Sequence, residues 1–89
     1  MTPRLARRTR LKWDEARGAH VLLYPEGLLV LTPEAADVVA RVDGATPVEA
    51  LVDALAAEHP EAPRDVIDRD VRDLLARLQH RGFVATEPG

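Results

Sequence analysis

The chain has 89 residues, which allows one domain and leaves little material for a self-sufficient core. It has no cysteine, which excludes disulfides, a thiol nucleophile, Cys-ligated zinc and protein-ligated iron–sulfur clusters. The net charge of −3 is uneven: residues 1–17 carry a balance of +4, and the remainder a balance of −7.

An apolar fraction of 46% is that of a folded protein. No apolar run is long enough to span a membrane, and the basic N-terminus lacks the apolar segment of a secretory signal. A cytoplasmic protein is expected. Residues 1–6 are expected to form a loose tail. From Arg8 to Trp13 charged and less polar residues alternate, with Thr9, Leu11 and Trp13 on one side. That is the pattern of a half-buried strand. Asp14 to Gly18 then forms a turn.

The most informative stretch runs from His20 to Pro33. Two short apolar runs, Val21–Tyr24 and Leu28–Leu31, flank Pro25-Glu26-Gly27. Proline presets φ and glycine tolerates φ > 0, so the runs read as hairpin strands over 20–24 and 28–31. Thr32 caps a helix that begins at Pro33.

Three helices are expected after the strands. The first spans 33–42 with the stripe Ala35, Val38, Val39 and Val42, and Gly44 lies just past its end. The second has Thr46 as N-cap, Pro47 as first helical residue and Glu49 completing a capping box, and it stops at His59-Pro60. The third runs from residue 64 or 65 to Arg81. Its stripe is Ile67, Val71, Leu74 and Leu78, with Val66 and Leu75 on the flanks. Gly82 supplies a left-handed residue after the cap and brings Phe83 against Leu78, the hydrophobic contact of a Schellman ending. Its polar face offers Asp65–Arg69, Asp68–Arg72 and Asp73–Arg77 as i, i+4 pairs. The expected fold class is therefore α+β: a three-stranded antiparallel sheet followed by a three-helix bundle, β-β-β-α-α-α, with a winged helix-turn-helix-like arrangement. The domain is expected over 7–84, with a second tail over 85–89.

The residues point to binding and not to chemistry. His20, His59 and His80 are scattered, and none has a ligand-spaced partner. There is no phosphate loop, no nucleophile elbow and no metal motif. No catalytic residue, metal ligand or cofactor is assigned. Nucleic acid is disfavoured: the third helix interleaves five arginines with four aspartates, so counterion release offers it little. Leu28 to Leu31 is different. These four apolar residues lack a Lys, Glu or Pro that would block an added strand, and one helical layer covers only one sheet face. Leu75, off the centre of its stripe, either lines a groove beside that edge or simply widens the buried helix face. An added strand would gain ladder hydrogen bonds.

Several blocks carry a resemblance: Val21-Leu-Leu-Tyr-Pro-Glu-Gly27, Leu31, Ala35-Ala36, Asp43 to Val48, Asp70-Val71, Leu74-Leu75, Leu78, and Arg81-Gly-Phe-Val84. Together they resemble PqqD, the peptide chaperone family of pyrroloquinoline quinone (PQQ) biosynthesis, over residues 5–84. The resemblance implies binding of the ribosomal precursor peptide PqqA and its presentation to the radical S-adenosylmethionine enzyme PqqE. It also implies that the peptide adds beside the third strand, against the third helix. On this sequence the implied peptide-binding residues are Leu28, Leu29, Val30, Leu31, Asp68, Val71, Arg72 and Leu75. A homodimer through the same open edge is expected in the free protein. A winged-helix nucleic-acid-binding regulator and a recognition element of another modified-peptide pathway stay open as alternatives.

Overall fold

The computed structural model describes residues 1–87. Eight elements follow one another: β1 (Thr2–Leu5), β2 (Arg10–Asp14), β3 (Ala19–Tyr24), β4 (Gly27–Val30), α1 (Pro33–Val39), α2 (Val48–Glu58), α3 (Arg64–His80) and β5 (Val84–Glu87). The α+β class holds, but the sheet is split in two. Strands β2-β3-β4 form an antiparallel meander, and β1 pairs antiparallel with β5 in a separate two-stranded sheet.

The second sheet corrects the expected tails at 1–6 and 85–89. Residues 2–5 lie opposite 84–87, with Leu5 facing Val84. Pro3 is among the most deeply buried side chains. The loop before α2 closes on the same strand, where the Gly44 N–H donates to the Pro3 carbonyl at 3.0 Å and the Val48 N–H to the Met1 carbonyl at 2.9 Å. The strand is held by pairing across nearly the whole chain, and a four-residue Thr-Pro-Arg-Leu segment carries no local sign of that. The expected tail at 85–89 extends to residues 88 and 89, which lie outside the described residues.

The meander follows the hairpin reading closely. Leu22 faces Leu11 on one side and Leu29 on the other, which makes β3 central and leaves β2 and β4 as edges. The first strand of the meander starts later than expected. Arg8 takes a positive φ of 67°, in a turn closed by the Thr9 N–H to the Ala6 carbonyl at 3.0 Å, so pairing begins at Arg10. Trp13, expected inward, stays 47% exposed. It lies at the end of β2 and packs edge-on against its cross-strand neighbour His20, with ring centroids 5.0 Å apart.

Local signals also decide the helix ends. The Thr32 hydroxyl oxygen accepts the Ala35 N–H at 3.1 Å, which caps α1 as expected. The helix ends at Val39, and 3₁₀-type bonds carry the chain on to Val42. Thr46 is not the cap of α2. Its hydroxyl donates to Asp43 Oδ2 at 2.9 Å, and Asp43 Oδ1 accepts the N–H groups of Ala45 and Thr46. The aspartate turn captures the threonine, and Pro47 becomes the N-cap without a side-chain bond. At the end of α3 the Schellman ending forms in full. The Phe83 N–H reaches the Leu78 carbonyl at 2.9 Å, the Gly82 N–H reaches the Gln79 carbonyl at 3.0 Å, and Gly82 has φ 84°.

These elements enclose one core. Leu22 and Leu31 from the meander meet Val39, Leu51, Val52, Val71, Leu75 and Leu78 from the helices. Phe83 closes it from below, edge-on to Tyr24 at 4.8 Å. Among the described residues no polar or charged side chain is buried, and no helix is long and apolar enough to cross a membrane.

Candidate functional site

Strand β4 is an edge strand that pairs only with β3 among the described residues. The Leu31 N–H donates to the His20 carbonyl at 2.9 Å, and in the same register Leu29 lies opposite Leu22 and Val30 opposite Val21. In an antiparallel ladder, alternate residues exchange bonds with the partner strand. Leu29 therefore turns its N–H toward β3, while Leu28 and Val30 turn N–H and C=O away from the sheet. Among the described residues, that leaves a short row of backbone donors and acceptors without a strand partner. The side chains alternate accordingly. Leu29 and Leu31 pack toward the helices, whereas Val30 is 51% exposed.

The other edge, β2, is less suited to an added strand. Its exposed Arg10 and Lys12 are charges of the kind that discourage edge pairing. No such charge stands on β4.

A cleft runs beside β4. Its first part, about 560 Å³, lies between Leu29, Val30 and Leu31 on one wall and Leu74 and Arg77 of α3 with its C-cap Arg81 on the other, and it is also lined by Ala35 of α1 and its N-cap Thr32. It adjoins a second hollow of about 430 Å³ that shares Ala35, Leu74 and Arg77 and continues between α1, the α2–α3 loop and α3. Val71 is buried at the floor of this second hollow.

The structure separates the sequence-predicted residues. Leu28, Leu29, Val30 and Leu31 all belong to the open edge, and Val71 lies under the adjoining hollow. Leu75 is 3% exposed and belongs to the core, so the groove reading of that side chain is corrected. Asp68 and Arg72 bind each other at 2.6 Å on the opposite flank of α3, where Asp68 also approaches Arg64, and neither lines the cleft. Consecutive helix residues are rotated by about 100°, so an error of one position moves a side chain to a different face. The cleft residue is Leu74, which is half-buried. Among the expected i, i+4 pairs, only Asp68–Arg72 forms an ion pair between described residues.

Sequence reasoning misses Ala35, Leu74, Arg77 and Arg81 as cleft residues. The signal for Leu74 was ambiguous, because 67/71/74/78 and 71/75/78 are both acceptable helical stripes. The arginines carried none, since cations near a helix C-terminus also complement its dipole.

Hydrogen bonds from Arg17 lower the Asp14 pKa, the N–H groups of Ala45 and Thr46 lower that of Asp43, and the Asp53 carboxylate raises that of Arg64. None of these groups lines the cleft. Among the described residues, no group of three or more His, Asp or Glu side chains is placed to hold a metal ion.

Comparison with known proteins finds relatives over most of the chain. A "PqqA binding protein" of Azotobacter vinelandii is 39% identical over 82 residues, covering 92% of this chain and 87% of the relative. A "PqqA binding protein" of Rhodopseudomonas palustris is 42% identical over 82 residues, covering 92% and 79%. The solution structure of the PqqD portion of Methylobacterium extorquens PqqCD, described as a functional and stand-alone recognition element for ribosomally synthesized and post-translationally modified peptides, superposes with a TM-score of 0.80. It has 34% identity, and the match covers 94% of this chain and 88% of that one. A lasso peptide synthetase B1 complexed with its leader peptide shares the fold, with a TM-score of 0.80, 24% identity, and coverage of 97% and 100%. The family model for coenzyme PQQ synthesis protein D matches residues 19–84, and the chain belongs to the PqqD family.

Proposed function

We propose that this protein binds a PqqA precursor peptide as an added strand on β4 and presents it to the radical S-adenosylmethionine enzyme PqqE for PQQ biosynthesis. The observation that carries the reading is the unpaired backbone of Leu28 and Val30 beside the cleft that Leu74 and Ala35 line. Relatives that share most of their length with this chain bear the name PqqA binding protein, which supports the choice of ligand. The chain is a recognition protein and not an enzyme, in keeping with its family. Its place of action is the cytoplasm.

Backbone pairing supplies affinity, and the cleft receives every second side chain of the bound strand. Leu29 and Leu31 are anchored in the core, so the edge is ordered before the peptide arrives, which reduces the entropic cost of binding. A homodimer formed through β4 would compete with peptide for the same backbone groups. Light scattering with and without peptide distinguishes the two uses of the edge.

The test of function is a titration of fluorescein-labelled PqqA peptide followed by anisotropy, together with PqqE cross-linking assays. Saturable one-to-one binding, and cross-linking that depends on this protein, support the reading. Absence of binding, or equal cross-linking without the protein, refutes it.

A further inference from the structure

The cleft beside β4 changes sign along its length. The part at the C-terminal end of α3 is lined by Arg77, His80 and Arg81 and by no Asp or Glu. The adjoining hollow shares Arg77 and adds His59, but it also brings in four acids, Glu34, Asp37, Glu61 and Asp70. In a chain with net charge −3, a stretch with two arginines and no acid runs against the average.

The two arginines are also available. Arg77 forms no ion pair with Asp70 or Asp73, although both line the surface beside it, and it has no other acidic partner among the described residues. The Arg81 guanidinium rests over the Phe83 ring, 5.2 Å from its centroid. That contact steadies the group and leaves its N–H donors for a ligand. Arg77 and Arg81 are four residues apart, hence neighbours on one helix face.

Resting on the peptide-binding reading, we propose that Arg77 and Arg81 form an anion-recognition subsite that receives an acidic side chain of the bound peptide and sets its register on β4. Strand addition by itself leaves register weakly specified, because every second residue of an extended chain offers the same backbone groups. A carboxylate held by paired guanidiniums at one end of the cleft, with an apolar neighbour against Leu74 and Ala35, admits one register. The acids at the other end of the cleft repel the same carboxylate if the peptide slips or reverses. The ligand class is thus an extended peptide with an acidic residue beside an apolar one.

The experiment is an acid-to-amide scan. Each Asp and Glu of the host's labelled PqqA peptide is replaced in turn by Asn or Gln. Each peptide is titrated against the parent protein, Arg77→Gln and Arg81→Gln. One acidic position should lose about tenfold in affinity for the parent, the scale of a charge-assisted hydrogen bond. The same change should have little further effect on either arginine variant, and both variants should keep the parent's melting temperature. If every substituted peptide binds the parent within about twofold, the scatter expected of independent sites, the subsite is refuted while peptide binding stands. If the arginine variants weaken all peptides equally and melt earlier, the arginines are structural and the proposal falls. If the unsubstituted peptide does not bind at all, the functional reading itself is wrong.

Discussion

Proline substitution at β4 separates the fold from its function within two adjacent residues. Val30 turns its N–H away from the sheet, so Val30→Pro removes no ladder bond within the domain. Its side chain is 51% exposed, and the preceding Leu29 is already extended, as a residue before proline must be. The variant should fold with nearly the parent's stability. It loses one donor to the added strand and leaves a peptide carbonyl unpaired, which costs about 1–2 kcal/mol, or roughly fivefold to thirtyfold in affinity. Leu29→Pro does the opposite. Its N–H faces Leu22 across the ladder, and its side chain packs against the core. The lost bond costs about 1–3 kcal/mol and the lost packing about as much again. That is a large fraction of the roughly 5–15 kcal/mol that holds a small domain. Thermal unfolding by circular dichroism and peptide anisotropy read the two effects separately, with Val30→Ala as the packing control. A stable Leu29→Pro beside an unfolded Val30→Pro would refute the assigned register. A folded Val30→Pro that binds peptide like the parent would refute strand addition at this edge.

Three further outcomes follow from particular side chains. Leu75→Ala should destabilise the domain by about 2–5 kcal/mol, whereas Leu74→Ala should cost less stability but weaken peptide binding about tenfold, as chemical denaturation and anisotropy would show. Gly82→Ala should destabilise by about 1–2 kcal/mol from the φ of 84° alone, since nothing lies within 4 Å of the added Cβ. Folding lowers the Asp43 pKa, so its contribution is present above the ordinary value of 3.8 and fades as pH falls through the folded value. Asp43→Asn should flatten that acid limb of stability in pH-dependent melting curves.

Much of the fold was legible because its signals are local. Pro25-Glu26-Gly27 between two apolar runs, Thr32 before Pro33, and Gly82 before Phe83 each dictate backbone geometry within a few residues, and each appears where the pattern places it. What the sequence hid depends on distant partners. Strand β1 exists because Val84–Glu87 lies beside it. Asp43 outcompetes the expected cap by taking the Thr46 hydroxyl. On α3 the choice between Leu74 and Leu75 is made by which face Leu51, Leu78 and Phe83 enclose, a tertiary fact that periodicity does not contain. The open edge of β4 is therefore readable in the sequence, whereas the residue that α3 turns toward that edge is not.

The central claim is that peptide docks on β4 and the Leu74–Arg81 flank of α3. Amide chemical shifts of ¹⁵N-labelled protein, recorded during titration with PqqA peptide, test it most directly. The account predicts large changes at Leu28, Val30 and Leu31 and along residues 74–81, with the outward N–H groups of Leu28 and Val30 gaining protection from hydrogen exchange. Changes concentrated at the opposite edge, over Arg10–Asp14, with residues 28–31 undisturbed, would contradict it.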